Sequence, residues 1–181
     1  IAAFLNILFT YGLETAYFRF SAGGEEPKVY NTATTSIIIS TAILTAIFLL
    51  LSGSIAAFLE IPGNPEYVQW VLWIVALDTL SVLPFSKLRH EGRPRKFALI
   101  KVLNILINIG LILFFLVLCK NAEKGTLLAS FYSEKIGLGY VILANVAASA
   151  VTLLLLAKEL FSFRFRVDTA FWKQLMQYSW P

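Results

Sequence analysis

Apolar residues in this chain fall into long blocks separated by short polar punctuation. The first block runs from Ile1 to about Phe20 and is the least pure, carrying Asn6, Glu14 and Arg19. The second extends from about Thr34 to Leu59, with Ser and Thr but no charge among Ile, Leu and Ala. A third covers Tyr67 to about Phe85, is interrupted by Asp78 and ends near Pro84. The fourth spans about Phe97 to Cys119, with Asn104 and Asn108 inside and Lys101 at its start; the fifth is Gly139 to Ala157. About 20 mostly apolar residues are needed to cross roughly 30 Å of hydrocarbon as a helix. Each block is close to that length or longer, so the pattern predicts five spanning helices. Open strands would leave backbone groups unpaired in lipid, and a spanning barrel would show alternating segments of about ten residues instead. The expected fold is therefore all-α, a multi-pass transmembrane bundle of five spans plus the start of a sixth.

Composition agrees. Of 181 residues, 58% are hydrophobic and 14% charged, against roughly 25% charged in a typical soluble domain. A soluble domain of this length cannot bury so much apolar surface, and a disordered chain shows the opposite bias. The chain starts at Ile1 within an apolar run and stops at Trp180–Pro181, so it reads as an internal piece of a larger protein; no charged leader or cleavage site resembles a signal peptide. Cys119 is the single cysteine and His90 the single histidine. An internal disulfide framework is thereby excluded, and a His/Cys metal site is not expected.

The cations assign a direction to the spans. Arg19 and Lys28 follow the first span, Lys87, Arg89, Arg93, Arg95, Lys96 and Lys101 follow the third, and Lys158, Arg164, Arg166 and Lys173 follow the fifth. The alternate connections hold only Lys120, Lys124 and Lys135, because the tight turn around Pro62–Gly63–Asn64–Pro65 has none. Twelve of the 15 cations thus fall on one side, a positive-inside signal that starts the chain outside and runs the first span inward. Tyr67, Trp70 and Trp73 fall at the expected outer interface, and Trp172 and Tyr178 near the inner one. The stretch Leu160–Phe165 is expected to lie along the inner surface, with Asp168 or Thr169 capping a helix from about Phe171.

Against this apolar background the polar residues inside spans are the functional candidates. An intramembrane carboxylate is costly and by default marks an ion or substrate path. Glu14 has that reading, and a second one in which it lies near the inner end and pairs with a neighbouring helix. Arg19 is about 140° around the helix from Glu14, so the two do not share a face. Asp78, near the middle of the third span, is either a protonatable coupling acid or a structural Asp hydrogen-bonded to a Ser or Asn of another helix. Lys101, Asn104 and Asn108 recur at helical spacing and form one polar face; the two asparagines are read chiefly as interhelical glue. The segment 87–96 is a strongly basic loop, suited to lipid headgroups or a pyrophosphate through Arg forks. His90 reads as a solvated loop residue and Cys119 as an outer-interface one. No paired acid/base constellation appears, so an enzyme is not expected.

Three stretches carry a resemblance. Gly12-Leu13-Glu14-Thr15-Ala16-Tyr17-Phe18-Arg19-Phe20 resembles the second-helix signature of bacterial polysaccharide-biosynthesis flippases, within the multidrug/oligosaccharidyl-lipid/polysaccharide exporter superfamily. Leu83–Arg89 followed by Gly92-Arg93-Pro94 and Lys96-Phe97 is similar to that family's loop between helices four and five, and Trp172–Pro181 to the opening of helix seven. The resemblance covers nearly the whole chain as helices two to six and the start of seven. It implies residues 1–158 as a partial N-terminal bundle, 159–170 as a cytoplasmic interfacial linker and 171–181 as the start of a second bundle. Helix two of that family runs inward, as the charge count demands. The implied activity is alternating-access translocation of undecaprenyl-pyrophosphate-linked oligosaccharide across the bacterial inner membrane. Arg19 would then bind the headgroup, with Arg89 and Arg93 at the inner mouth, while Glu14 and Asp78 would serve coupling or gating by Na+ or H+ without any organic cofactor. The implied partners are membrane lipid, the lipid-linked oligosaccharide and a glycan polymerase machinery, and no nucleic acid. Two other readings stand beside it: a cation-coupled multidrug antiporter, and a non-transporting membrane partner of a glycan synthase.

Overall fold

A computed structural model describes residues 5, 8–60, 65–121, 132–133, 136–137, 139–164, 168, 172–175 and 177. The described residues are helical with short connections. Helix α1 is Leu13–Phe20, followed by a π-helical turn at Ser21–Glu25; α2 is Glu26–Leu50 and α3 is Ser52–Phe58. Helix α4 is Pro65–His90, α5 is Pro94–Leu113 continued by a π-helical segment Phe114–Cys119, α6 is Gly139–Leu155 and α7 is Ala157–Leu160. Three of these rods, Glu26–Leu50, Pro65–His90 and Pro94–Cys119, are long and apolar enough to cross a membrane. Helix α6 is apolar too but has 17 residues, a rise of about 26 Å.

Several boundaries differ from those the apolar pattern predicts. The first block is not one helix: Tyr11 has φ 33° and Gly12 φ 75°, a left-handed break ahead of α1. A helix cannot pass through two consecutive residues of that conformation. The second block begins at Glu26, well before Thr34, because Gly24 at φ 88° allows the chain to reverse within five residues. Pro84 does not end α4 but sits inside it, buried. Its ring removes only the N–H that would bond the Leu80 carbonyl, and the helix runs on to His90. Consequently 87–96 is not a loop. Lys87, Arg89 and His90 form the last turn of α4, Pro94 opens α5, and three residues with Gly92 at φ 66° join them. The predicted turn at 61–64 lies outside the described residues, as do Asn6, Lys124, Lys135, Arg166, Thr169, Phe171 and Tyr178.

The rods alternate in direction, and contacts at both ends show it. At one end Tyr67 Oη donates to the Ile136 carbonyl at 2.9 Å, joining the start of α4 to the approach of α6. At the other, Tyr30 Oη donates to the Glu159 carbonyl at 2.7 Å, and Lys87 Nζ to Ser162 Oγ at 2.8 Å. This second end, where α1, α4 and α7 finish and α2 and α5 start, collects the cations and is called the basic end below. The core there comprises Leu13, Tyr17, Tyr30, Ile37 and Leu83, with Leu175 of the last described helical turn buried against them. Residues 172–175 are helical, and the Trp172 N–H bonds the Asp168 carbonyl at 2.7 Å.

Outward faces are apolar. Ile39, Ile43, Ile47 and Leu50 form one exposed stripe on α2, and Leu99, Val102, Ile105, Leu106, Ile109 and Leu113 cover most of α5. Such a surface suits hydrocarbon rather than water. The opposite end is pinned by aromatics: Tyr140 stacks on Phe115 and Tyr132, with centroids 4.8 and 5.4 Å apart. Gly139 is buried beneath the neighbouring rings, and a Cβ there would stand 2.7 Å from Tyr67 Cε1 and 2.8 Å from a Trp70 ring carbon. Gly139→Ala is therefore expected to destabilise the full-length protein by about 1–3 kcal/mol through overpacking. Reversible unfolding in mixed detergent micelles measures this, and wild-type stability for the variant would remove the close approach from the account.

Candidate functional site

Two polar constellations interrupt the apolar bundle. The first is halfway along α4, where Asp78 is about 18 Å from the basic end by helical rise. Ser149 Oγ of α6 donates to Asp78 Oδ1 at 2.8 Å. Asp78, Lys101, Asn104, Asn145, Ser149 and Thr152 share a cleft of about 190 Å³ between α4, α5 and α6, with Phe85 in its wall. The Lys101 ammonium stands 4.5 Å from the Phe85 ring centroid. Asn104 Nδ2 donates to Thr152 Oγ1 at 2.9 Å, an interhelical bond of the kind expected for it. At liquid density the cleft has room for about six waters. It therefore brings one carboxylate, one ammonium and several hydroxyl and amide groups to a small volume: a set able to hold a cation or a proton, or to hydrogen-bond sugar hydroxyls.

Exposure makes this cleft distinctive. Asp78 and Lys101 are both exposed on the flank of the bundle, not sealed within it. Hydrocarbon does not accept a carboxylate, so a flank bearing one at mid-helix faces water or further protein. Asn108, one turn beyond Asn104, buries its Oδ1 with no hydrogen-bond partner among the described residues, as do Thr34, Thr41, Thr45 and Thr79 their hydroxyls.

The second constellation is at the basic end. Glu14, in the first turn of α1, pairs with Arg89 in the last turn of α4, so it has a partner on a neighbouring helix. The Arg89 guanidinium also stacks near Phe18 and Phe97, 5.1 and 5.5 Å from their centroids. His90 is exposed, as expected, but closes α4 instead of lying in a loop, in a T-shaped contact with Tyr17, centroids 5.9 Å apart. Arg19 is exposed in the last turn of α1, at this same end. Cys119, expected at the outer interface, does end α5's π-helical extension away from the basic end, but its thiol is buried.

Glu159 is the residue that reading the sequence missed. Its side chain is 3% exposed and accepts Lys96 Nζ on both oxygens, at 2.7 and 2.9 Å, while Arg93 Nη1 approaches to 3.4 Å. Arg93 also contacts Glu91 at 3.4 Å. The start of α5 is thereby tied ionically to α7. One signal was available: Glu159 is an acid with Leu156 and Leu160 around it on the cation-rich side. Among the described residues no group of three or more His, Cys, Asp or Glu is placed to hold a metal ion. Compared with known proteins, the chain matches no family model, no curated protein and no solved structure.

Proposed function

We propose that the chain is part of the N-terminal bundle of a multi-pass flippase of the bacterial inner membrane, moving undecaprenyl-pyrophosphate-linked oligosaccharide by alternating access. The observation that supports this most is the open Asp78–Lys101 cleft: a carboxylate halfway along α4 and an ammonium in the first half of α5 share one cleft on the flank of an apolar bundle, as the wall of a hydrated cavity would have. In this reading five segments span the bilayer, α6 and the broken first apolar block that ends in α1 among them, and the basic end faces the cytoplasm. Asp78 couples transport to Na+ or H+. Arg19, Arg89 and Arg93 provide the cationic mouth that meets the pyrophosphate, for which guanidinium forks are well shaped. A glycan polymerase machinery then uses the delivered substrate on the outer side.

One feature favours the antiporter as a second reading. Phe85, about two turns along α4 from Asp78, lines the same cleft, and an acid with an aromatic ring suits an organic cation. Deleting the gene in its host separates the two. Loss of surface glycan, restored by the full-length wild type and not by a Glu14→Ala/Arg19→Ala/Asp78→Ala variant, is the expected result. Unchanged glycan together with increased drug sensitivity would replace the flippase by the antiporter.

A further inference from the structure

The basic end carries a recess separate from the Asp78 cleft and from the Glu159 cluster. It lies between the first turn of α2, the last turn of α4 and the segment after α7, with a volume of about 470 Å³. Lys28, Lys87 and Arg164 line it, and so do Glu26 and Asp168. Glu26 and Lys28 share the first turn of α2, and Arg164 and Asp168 the segment after α7, so both signs line the recess side by side. Lys87 donates to Ser162 Oγ and stands 4.3 Å from the Tyr30 ring centroid, and the Arg164 N–H bonds Asn31 Oδ1 at 2.8 Å. The Glu26 carboxylate instead accepts the Tyr17 hydroxyl of α1 at 3.0 Å. Next to the recess in sequence, Phe161 is 77% exposed and Trp172 40% exposed, aromatic rings at a helix-end level where a bilayer interface favours them.

We propose that this recess binds the headgroup of an aminophospholipid from the adjacent leaflet, its phosphate against Lys28, Lys87 and Arg164 and its primary ammonium against Glu26 and Asp168. Basic pockets between helix ends are suited to phospholipid headgroups. A purely anionic headgroup would leave the two carboxylates facing negative charge. A choline headgroup supplies the positive charge but no N–H to donate to them. This inference rests on the chain being embedded in a membrane and not on what it transports, so an unaltered surface glycan in the deletion strain leaves it untouched.

Native mass spectrometry of the full-length protein tests it, using an equimolar mixture of phosphatidylethanolamine, phosphatidylcholine and phosphatidylglycerol with identical chains. Phosphatidylethanolamine is expected to be retained about fivefold over either competitor, near the upper worth of one exposed charge contact. Asp168→Asn should bring it down to the phosphatidylcholine level, and Arg164→Gln should lower retention of all three lipids. Both side chains are exposed, so the fold survives these changes, and Lys120→Gln at the opposite end should have no effect. Equal retention by the wild type, a preference for phosphatidylglycerol, or a pattern unmoved by both variants would overturn the proposal. Complete displacement by soluble phosphoethanolamine would also overturn it, since the lipid would then not be the ligand.

Discussion

On the proposed flippase reading, Asp78→Ala in the full-length protein is expected to lower transport by more than about tenfold, an effect of at least ~1.4 kcal/mol on the rate-limiting step. The reason is local. Removing the carboxylate leaves the exposed Lys101 ammonium as the one charge lining the cleft and takes the acceptor from the Ser149 hydroxyl. That alone would also weaken folding, so two further variants separate the effects. Asp78→Asn keeps an acceptor for the Ser149 hydroxyl and should insert normally while still failing to transport. Asp78→Asn with Lys101→Met removes both charges, and it should be at least as stable as the wild type and equally inactive. Transport at the wild-type rate by that double variant would exclude the cleft from the transport path. A stable, active Asp78→Asn alone would confine Asp78 to packing α4 on α6.

The same residue shows how far the sequence could be read. A carboxylate halfway through an apolar block is conspicuous without any structure, because its cost in hydrocarbon depends on depth alone. Its partners are another matter. Ser149 and Lys101 meet Asp78 only if three helices are each rotated about their axes to bring those faces together, and in blocks apolar on nearly every side periodicity says little about rotation. Asn104 was legible as interhelical glue since Lys101, Asn104 and Asn108 share a helical face; that Thr152 receives it was not.

Helix ends follow a similar division. Blocks of apolar residues located α2, α4, α5 and α6, whose lengths follow from hydrocarbon thickness. Breaks within blocks did not show. Leu51 and Leu156 interrupt helices at φ near −90° and ψ near 0°, yet the backbone bonds continue across them, Ile55 to Leu51 and Leu160 to Leu156. Neither residue is a helix breaker in composition. Pro84 erred in the opposite direction, since a missing N–H inside a long apolar helix costs one backbone bond and does not stop the rod. The basic run at 87–96 was legible as one cation-rich end of the bundle, because the cations collect there whether they lie on a loop or on helix ends.

Glu159→Ala should destabilise the protein by about 2 kcal/mol. Breaking a buried ion pair by removing one partner costs about 3–5 kcal/mol when the remaining charge is sealed from water. Here the remaining cations are partly open, Lys96 at 29% and Arg93 at 45% exposure, so water recovers part of that loss. The bonds that the Tyr30 and Ser162 hydroxyls donate to the Glu159 carbonyl persist in the variant, which confines the change to the side-chain pairs. Glu14→Gln provides the comparison. Its pair with Arg89 is about 40% exposed on both members, and exposed pairs contribute less than about 1 kcal/mol. Unfolding in mixed micelles should therefore rank Glu159→Ala well below Glu14→Gln in stability. Combining Glu159→Leu with Lys96→Met should recover most of the loss, because two apolar chains of similar size fill the same space without stranded charge. Equal stability of Glu159→Ala and Glu14→Gln would mean that the α5–α7 tie contributes no more than a surface ion pair. A double variant no more stable than Glu159→Ala would shift the cause from charge to shape.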